Sequence, residues 1–355
     1  MTLLYSPVRI GGPEPPRGWD EFVRDCAGGT IYHDSGWLDV IARSYAFRPF
    51  FLTLADPCGE LDGILPLFLV ESRLTGRRLV SLPYTNAAGP LCRPGIDGTP
   101  LLEAAIELAR RESCQYVEIR GQPGQPPFDD AGLQRCDYFH SVVLDLAGGL
   151  EGVRARFDKR VRRGIAKAAK SGIRLHFGDD LGAVREFYRL NLQTRRKHGV
   201  PPQPLAFFET LWNLFQPQGN VKVILAEYDG RIVAGLVLLA YKETVIYAYG
   251  ASDQRYLRYA PNHALFDAAI TWSVERGYRH FDFGRTAPDN EGLMEFKRQW
   301  GAAFLPLPYY YWPETRGFVT ASESGLKYRA FTAIWRRLPL FATTLLGRVV
   351  YRHLA

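Results

Sequence analysis

The chain has 355 residues, of which 46% are hydrophobic, 13% aromatic and 23% charged; this excludes a disordered chain and suits two packed domains. The formal charge of +7 is unevenly spread: residues 1–150 hold 13 Arg, no Lys and 19 Asp+Glu, whereas 151–355 hold 31 Lys+Arg and 18 Asp+Glu. Residues 154–174 carry nine bases against Asp158, and the tail from Arg316 carries seven against Glu323, so the basic character belongs to two local segments and the remainder is acidic.

The first residues, MTLLYSPVRIGGPEPP, lack the basic-then-apolar order of a secretory leader, and no run reaches the ~18 apolar residues of a membrane span. A cytoplasmic protein is expected. His33 and Trp37 follow in IYHDSGWLDV; a lone histidine is more often a satisfied core or surface residue than a ligand. Five single cysteines (Cys26, Cys58, Cys92, Cys114, Cys136) form no CxxC pair, which predicts reduced, mostly buried thiols rather than a disulfide framework or zinc ribbon. No His/Cys/Asp/Glu cluster has metal-ligand spacing, and neither a serine-hydrolase elbow nor a P-loop occurs. No metal is expected.

Residues 52–68 (LTLADPCGELDGILPLF) read as two apolar strands around a turn at Gly59, and 102–120 as a helix feeding a strand. The pattern then returns. Residues 223–239 (VILAEYDGRIVAGLVLL) repeat the hairpin around Gly230, 244–250 add a strand, and 266–284 align without gaps on 102–120, pairing Glu118 with Asp282 and Arg120 with Gly284. An order of strand, strand, strand, helix, strand that occurs twice predicts two α/β (α+β) units of one ancestry. Between them, 150–171 predicts one long helix with an apolar stripe through Val153, Phe157, Val161 and Ile165, followed by helices over 184–198 and 205–215. The tail reads as two short amphipathic helices broken at Pro339, either docked on the body or resting on a membrane surface. The predicted domains are 1–149, 150–315 and the tail 316–355.

This order of elements resembles the GNAT acyltransferase fold, and its duplication resembles the FemAB aminoacyltransferases of cell-envelope synthesis. The basic helix KRVRRGIAKAAKSGI (159–173), YAYGAS (247–252) and PNHALFDAAITWSVERGYRHFDFG (261–284) carry the likeness. The most specific piece is EFKRQWGA (295–302), which is similar to the family's F-K-x-x-[FW]-G signature. LPYTNAAGP (82–90), with FDFGRT and FKRQWGA, is similar to FemAB-related proteins associated with exosortase and PEP-CTERM surface systems. Three departures stand out. The helical coiled-coil arm of some members is absent, Gly164 stands where the family often has Asn, and the place of the GNAT pyrophosphate loop reads Arg255-Tyr-Leu-Arg-Tyr-Ala-Pro-Asn262, without glycine and with a proline that has no N–H to offer.

The resemblance implies that Lys297 stabilises an oxyanion or contacts the donor, that Arg162 holds a diphosphate or carboxylate of the acceptor, and that His33 and Trp37 border an acceptor cleft. Asp282 and Arg285, at the end of the last repeated strand, are candidates to accept the amine proton or to orient one another, and Tyr249 to donate a hydrogen bond or only to pack. The expected function is transfer of an acyl or aminoacyl group to an amine of a peptidoglycan or exopolysaccharide-related precursor. No resident cofactor is expected, the donor being aminoacyl-tRNA or acyl-CoA, and the partners are a phosphate-bearing precursor and, through the tail, the inner-membrane surface. The alternatives are an acyl-CoA-dependent N-acyltransferase and a non-catalytic assembly factor that binds a lipid-linked saccharide.

Overall fold

The computed structural model describes residues 8–72, 76–125, 128 and 131–313, and in the tail 332, 333, 335–339, 343, 346, 347 and 350–353. They fall into two compact units, one drawn from 8–139 with 306–313 and 352–353, the other from 140–305 and the tail up to 351. The chain passes from the first to the second inside one strand and returns inside another. The boundaries expected at 149 and 315 therefore each lie ten residues earlier, at 139 and 305, because neither crossing occurs in a loop where composition would mark it.

The first unit comprises β1 (Arg9–Gly11), α1 (Trp19–Asp25), α2 (Ser35–Tyr45), β2 (Arg48–Ala55), β3 (Leu61–Ser72), β4 (Gly76–Val80), β5 (Leu91–Cys92), α3 (Thr99–Arg111), β6 (Tyr116–Arg120) and the start of β7 (Gln134–Asp145). β2 and β3 form the predicted antiparallel hairpin, and α3 crosses over from β4 to the parallel strand β6. The apolar face of α3, with Leu101, Leu102, Ala105 and Leu108, packs on Leu52, Leu65, Leu79 and Val117.

The second unit continues with α4 (Gly149–Ala155), α5 (Lys159–Lys170), β8 (Arg174–Gly178), α6 (Leu181–His198), α7 (Leu205–Phe215), β9 (Val221–Tyr228), β10 (Arg231–Tyr241), β11 (Thr244–Ser252), a 3₁₀ turn (Gln254–Tyr259), α8 (Pro261–Glu275), β12 (His280–Thr286), α9 (Glu291–Arg298) and the start of β13 (Ala303–Trp312). β9, β10 and β11 are antiparallel, and α8 crosses to β12, which lies parallel to β11. Both repeats predicted from the sequence thus fold alike. From residue 306, β13 belongs to the first unit, where it pairs antiparallel with β6.

The helix predicted over 150–171 is two helices. Asp158 leaves helical geometry and caps α5, its carboxylate accepting from the Arg160 N–H at 2.7 Å, while its own N–H donates to the Gln299 carbonyl at 2.8 Å. The break lets Phe157 turn inward against Trp300, ring centroids 5.0 Å apart.

The five cysteines are thiols, but only Cys26 is buried, Cys58 being exposed and the others half-buried. The predicted tail helices lie largely outside the described residues; within these, Trp335 and Tyr351 are buried, and Arg195 donates to the Tyr351 hydroxyl at 3.2 Å. These residues dock on the second unit. No helix among the described residues is long and apolar enough to cross a membrane.

Candidate active site

The second unit has a gap built into its sheet. β11 pairs with β12 from Thr244–Ile246 against His280–Asp282 and no further, although β11 runs on to Ser252 and β12 to Thr286. A bulge turns β12 at that point: Phe283 and Gly284 stand opposite the single residue Val142 of β7, and Gly284 takes φ 77°. The Asp282 carboxylate holds the bulge closed by accepting from the Gly284 N–H at 2.7 Å and the Ser141 hydroxyl at 3.3 Å. Burial raises its carboxyl above the ordinary aspartate range, against the lowering pull of the Gly284 N–H and Lys297.

A cavity of about 270 Å³ lies where the strands part. Gly235, Leu236, Tyr247 and Gly250 line it from β10 and β11, Leu265 and Phe266 from α8, and Phe283 from β12. Leu293, Phe296 and Lys297 of α9 close another wall, and Thr194, His198, Ser252 and Asn262 supply polar edges. No aspartate or glutamate lines it among the described residues.

Lys297 is only 2% exposed. Its Nζ donates to the Gly284 carbonyl at 2.8 Å, the Thr286 hydroxyl at 2.5 Å and the Arg285 carbonyl at 3.3 Å. Burial pushes its ammonium down to about 8, opposed by Asp282 and reinforced by Arg285. At neutral pH it is a cation fixed by peptide carbonyls at the edge of an apolar chamber.

The rest of the signature builds this position. Phe296 is cavity wall, while Trp300 is fully buried against Phe157 and Phe266. Gly301 has φ 77°, and a Cβ there would lie 2.9 Å from Arg156 Cβ. The motif thus anchors one helix so that its lysine meets the bulge.

The remaining candidates disperse. The Arg285 carbonyl touches Lys297, and the Asp282 carboxylate bonds Gly284 and Ser141. Arg162 is exposed on α5, its Nε donating to the Phe157 carbonyl at 3.1 Å, and it does not line the cavity. Tyr249 packs edge-on against Phe207 and Phe208 of α7; Tyr247 lines the cavity instead. Strict alternation would put both tyrosines on one face, but the β10–β11 register jumps from Val237 opposite Tyr249 to Leu238 opposite Tyr247, and the bulge separates them. In the first unit, His33 is fully buried, its ring nitrogens meeting Thr30 Oγ1 at 2.9 Å and the Gly89 carbonyl at 3.0 Å, and Trp37, 1% exposed, packs edge-on against Tyr32. Both are corrected from cleft residues to internal supports.

Sequence reasoning missed Tyr247 and His198. Burial pushes the Tyr247 phenol up to about 12, so it is a neutral donor. His198 sits exposed at the cavity rim; partial burial and then Lys197, Arg195 and Arg336 lower its imidazole below the ordinary value, which leaves it neutral at pH 7. Neither is marked in the sequence: Tyr247 and Tyr249 alternate alike, and only the bulge opposite Val237 and Leu238 separates them. Gly164 is also explained: a Cβ there would overlap the His263 ring, so α5 seats that imidazole where an asparagine would project.

The start of α8 does not fit a coenzyme A pyrophosphate. Its approach is a 3₁₀ turn, Ala260 is left-handed at φ 60°, and Pro261 opens the helix. Arg255 is committed to Asp253 at 2.6 Å.

Residues 155–298 match the acetyltransferase (GNAT) domain family. The chain is 19% identical over 316 residues to the UDP-N-acetylmuramoylpentapeptide-lysine N(6)-alanyltransferase of Weissella viridescens, covering 82% of this chain and 90% of that one. It is 34% identical to the lipid II:glycine glycyltransferase of Staphylococcus saprophyticus subsp. saprophyticus over 79 residues, 21% of this chain and 19% of that one. The crystal structure of FemX superposes with a TM-score of 0.65 at 16% identity, covering 83% of this chain and 95% of that one. The tandem GNAT-like fold, the Phe-Lys signature seated at the parted strands and these relatives together liken the chain to the FemAB acyltransferases.

Proposed function

We propose that the chain transfers an acyl or aminoacyl group to an amine of a cell-envelope precursor, with the donor carbonyl presented to Lys297 in the second unit's cavity. The observation that carries this reading is a buried ammonium, already held by three oxygens, at the wall of a chamber opened by diverging strands. Such a cation needs no solvent reorganisation when negative charge develops on a carbonyl oxygen. The Tyr247 phenol is a second donor at the same wall. The attacking amine must lose a proton, and we assign that role to His198 at the rim. Arg285 and Asp282 act through the bulge that fixes Lys297.

The relatives named for alanyl and glycyl transfer support a peptidoglycan precursor as acceptor, with exopolysaccharide or surface-sorting chemistry as the narrower possibility suggested by LPYTNAAGP. Exposed Arg162 on basic α5 is proposed to meet the precursor's phosphates. The unsuitable α8 entrance favours an aminoacyl ester carried by tRNA over acyl-CoA, in a cytoplasmic reaction beside the inner membrane. The test supplies radiolabelled aminoacyl-tRNA or acyl-CoA with a lipid-linked peptide acceptor, with and without RNase. Label transferred from tRNA and lost with RNase supports the reading; transfer from acyl-CoA alone would replace the donor, and no transfer from either would refute the activity.

A further inference from the structure

We infer that the acyl group accepted by this cavity carries an uncharged, apolar chain larger than that of an alanyl or glycyl group; this rests on the acyl-transfer reading above and deepens it. The reason is the disposition of charge and volume. Only Lys297 brings a fixed charge to the wall, at the end where a carbonyl would be polarised, and beyond it the chamber is bounded by Leu236, Leu265, Phe266, Phe283 and Phe296. A side chain ending in an ammonium would meet no carboxylate among the residues that line the cavity, so its desolvation would go uncompensated. A methyl or hydrogen would leave most of about 270 Å³ to water against walls that are mostly apolar, and a larger apolar chain would restore the missing contacts.

Two glycines stand where the strands part. Gly235 and Gly250 both line it from adjacent strands, Gly250 opposite Leu236 and Gly235 opposite Ala251. A Cβ on Gly250 would overlap the Tyr247 hydroxyl, and one on Gly235 would lie 2.8 Å from a Leu225 methyl. A side chain at Gly250 therefore displaces the phenol or fills the chamber.

The experiment measures binding without turnover. Acetamide, butyramide, pentanamide, hexanamide and 6-aminohexanamide, each a carbonyl mimic without a leaving group, are titrated into the full chain by NMR. Affinity should rise about fourfold per methylene until the cavity is full, and 6-aminohexanamide should bind at least about tenfold more weakly than hexanamide. Gly250→Val and, should that variant fold poorly, Leu293→Trp from the helical side should flatten the series. Equal affinity across the chain lengths, equal affinity for the aminated amide, or an unchanged series in both folded cavity-filling variants overturns the inference. Retained label transfer in Lys297→Ala would instead overturn the catalytic reading and leave the binding series standing, so the two failures are distinguishable.

Discussion

The two repeats share a topology and part company at the end of their last strand. In the first, β4 stays laced to β6 beyond their ladder: the Ser81 N–H donates to the Glu118 carbonyl at 2.9 Å, the Arg120 N–H to the Ser81 hydroxyl at 2.7 Å, and the Ala88 N–H to the Arg120 carbonyl at 2.9 Å. The Arg120 guanidinium fills the strand end, bonding Glu118 at 2.7 Å and the carbonyls of Thr85 at 2.7 Å and Leu82 at 3.3 Å. In the second repeat Arg120 is replaced by Gly284, β11 leaves β12, and a lysine from another helix takes the freed carbonyls. One repeat sutures its sheet with an arginine whose counter-charge, Glu118, lies on the same strand; the other leaves the sheet open and imports a cation held by peptide and hydroxyl oxygens. Closure makes a structural element of the first strand end, and opening makes a chamber of the second.

The contrast breaks most sharply at Arg120. Arg120→Met strands the largely buried Glu118 and should cost about 3–5 kcal/mol of stability in a urea melt, while amide binding by the folded fraction stays at the parent's level; lost binding with unchanged stability would reverse the roles assigned to the two repeats. Lys297→Ala should do the opposite and lower transfer about 100- to 1000-fold in steady-state kinetics; near-parental turnover would remove the site from the second repeat. His198→Gln should cost about 100-fold and abolish the acid limb below pH 6.5 where the wild-type imidazole takes up its proton; an acid limb that persists excludes it as proton acceptor.

Smaller effects sharpen the same comparison. Gly301→Ala meets both a positive φ and the Arg156 Cβ, and should cost about 1–3 kcal/mol by chemical melt, with a weakened hold on α9. The last prediction concerns pH. Lys297 releases its proton near 8 when folded but near 10.5 when unfolded, so between these values the unfolded chain binds more protons and stability contributed through this group rises with pH. Lys297→Met should lose that rise, seen as a stability difference between parent and variant that changes from pH 8 to 10.5 and is flat below 8.

The repeats were legible because each requires a long local signal: two apolar strands around a glycine turn, then an amphipathic helix feeding a strand. The packed position of Lys297 was legible because phenylalanine, tryptophan and glycine at fixed spacing lock its helix. Tyr247 was not, since a bulge that shifts one strand by one residue leaves no trace in a period-two pattern. Nor were the corrections at His33 and Trp37: short polar-aromatic runs look alike whether a ring faces a substrate or props up a loop, and only the carbonyl that His33 meets decides. The division of the chain was equally hidden, because both crossings lie inside strands.

Those crossings govern the order of events at the ribosome. The first unit's strand β6 has its outer partner at Tyr309–Trp312, which emerges only after residues 140–305 have been made. During synthesis β6 is therefore a temporary edge with exposed peptide groups, open to pairing with another nascent chain. The second-made unit can reach its full set of strands before the first-made one does, so an amino-terminal fragment that stops at residue 139 should be the aggregation-prone half of this protein.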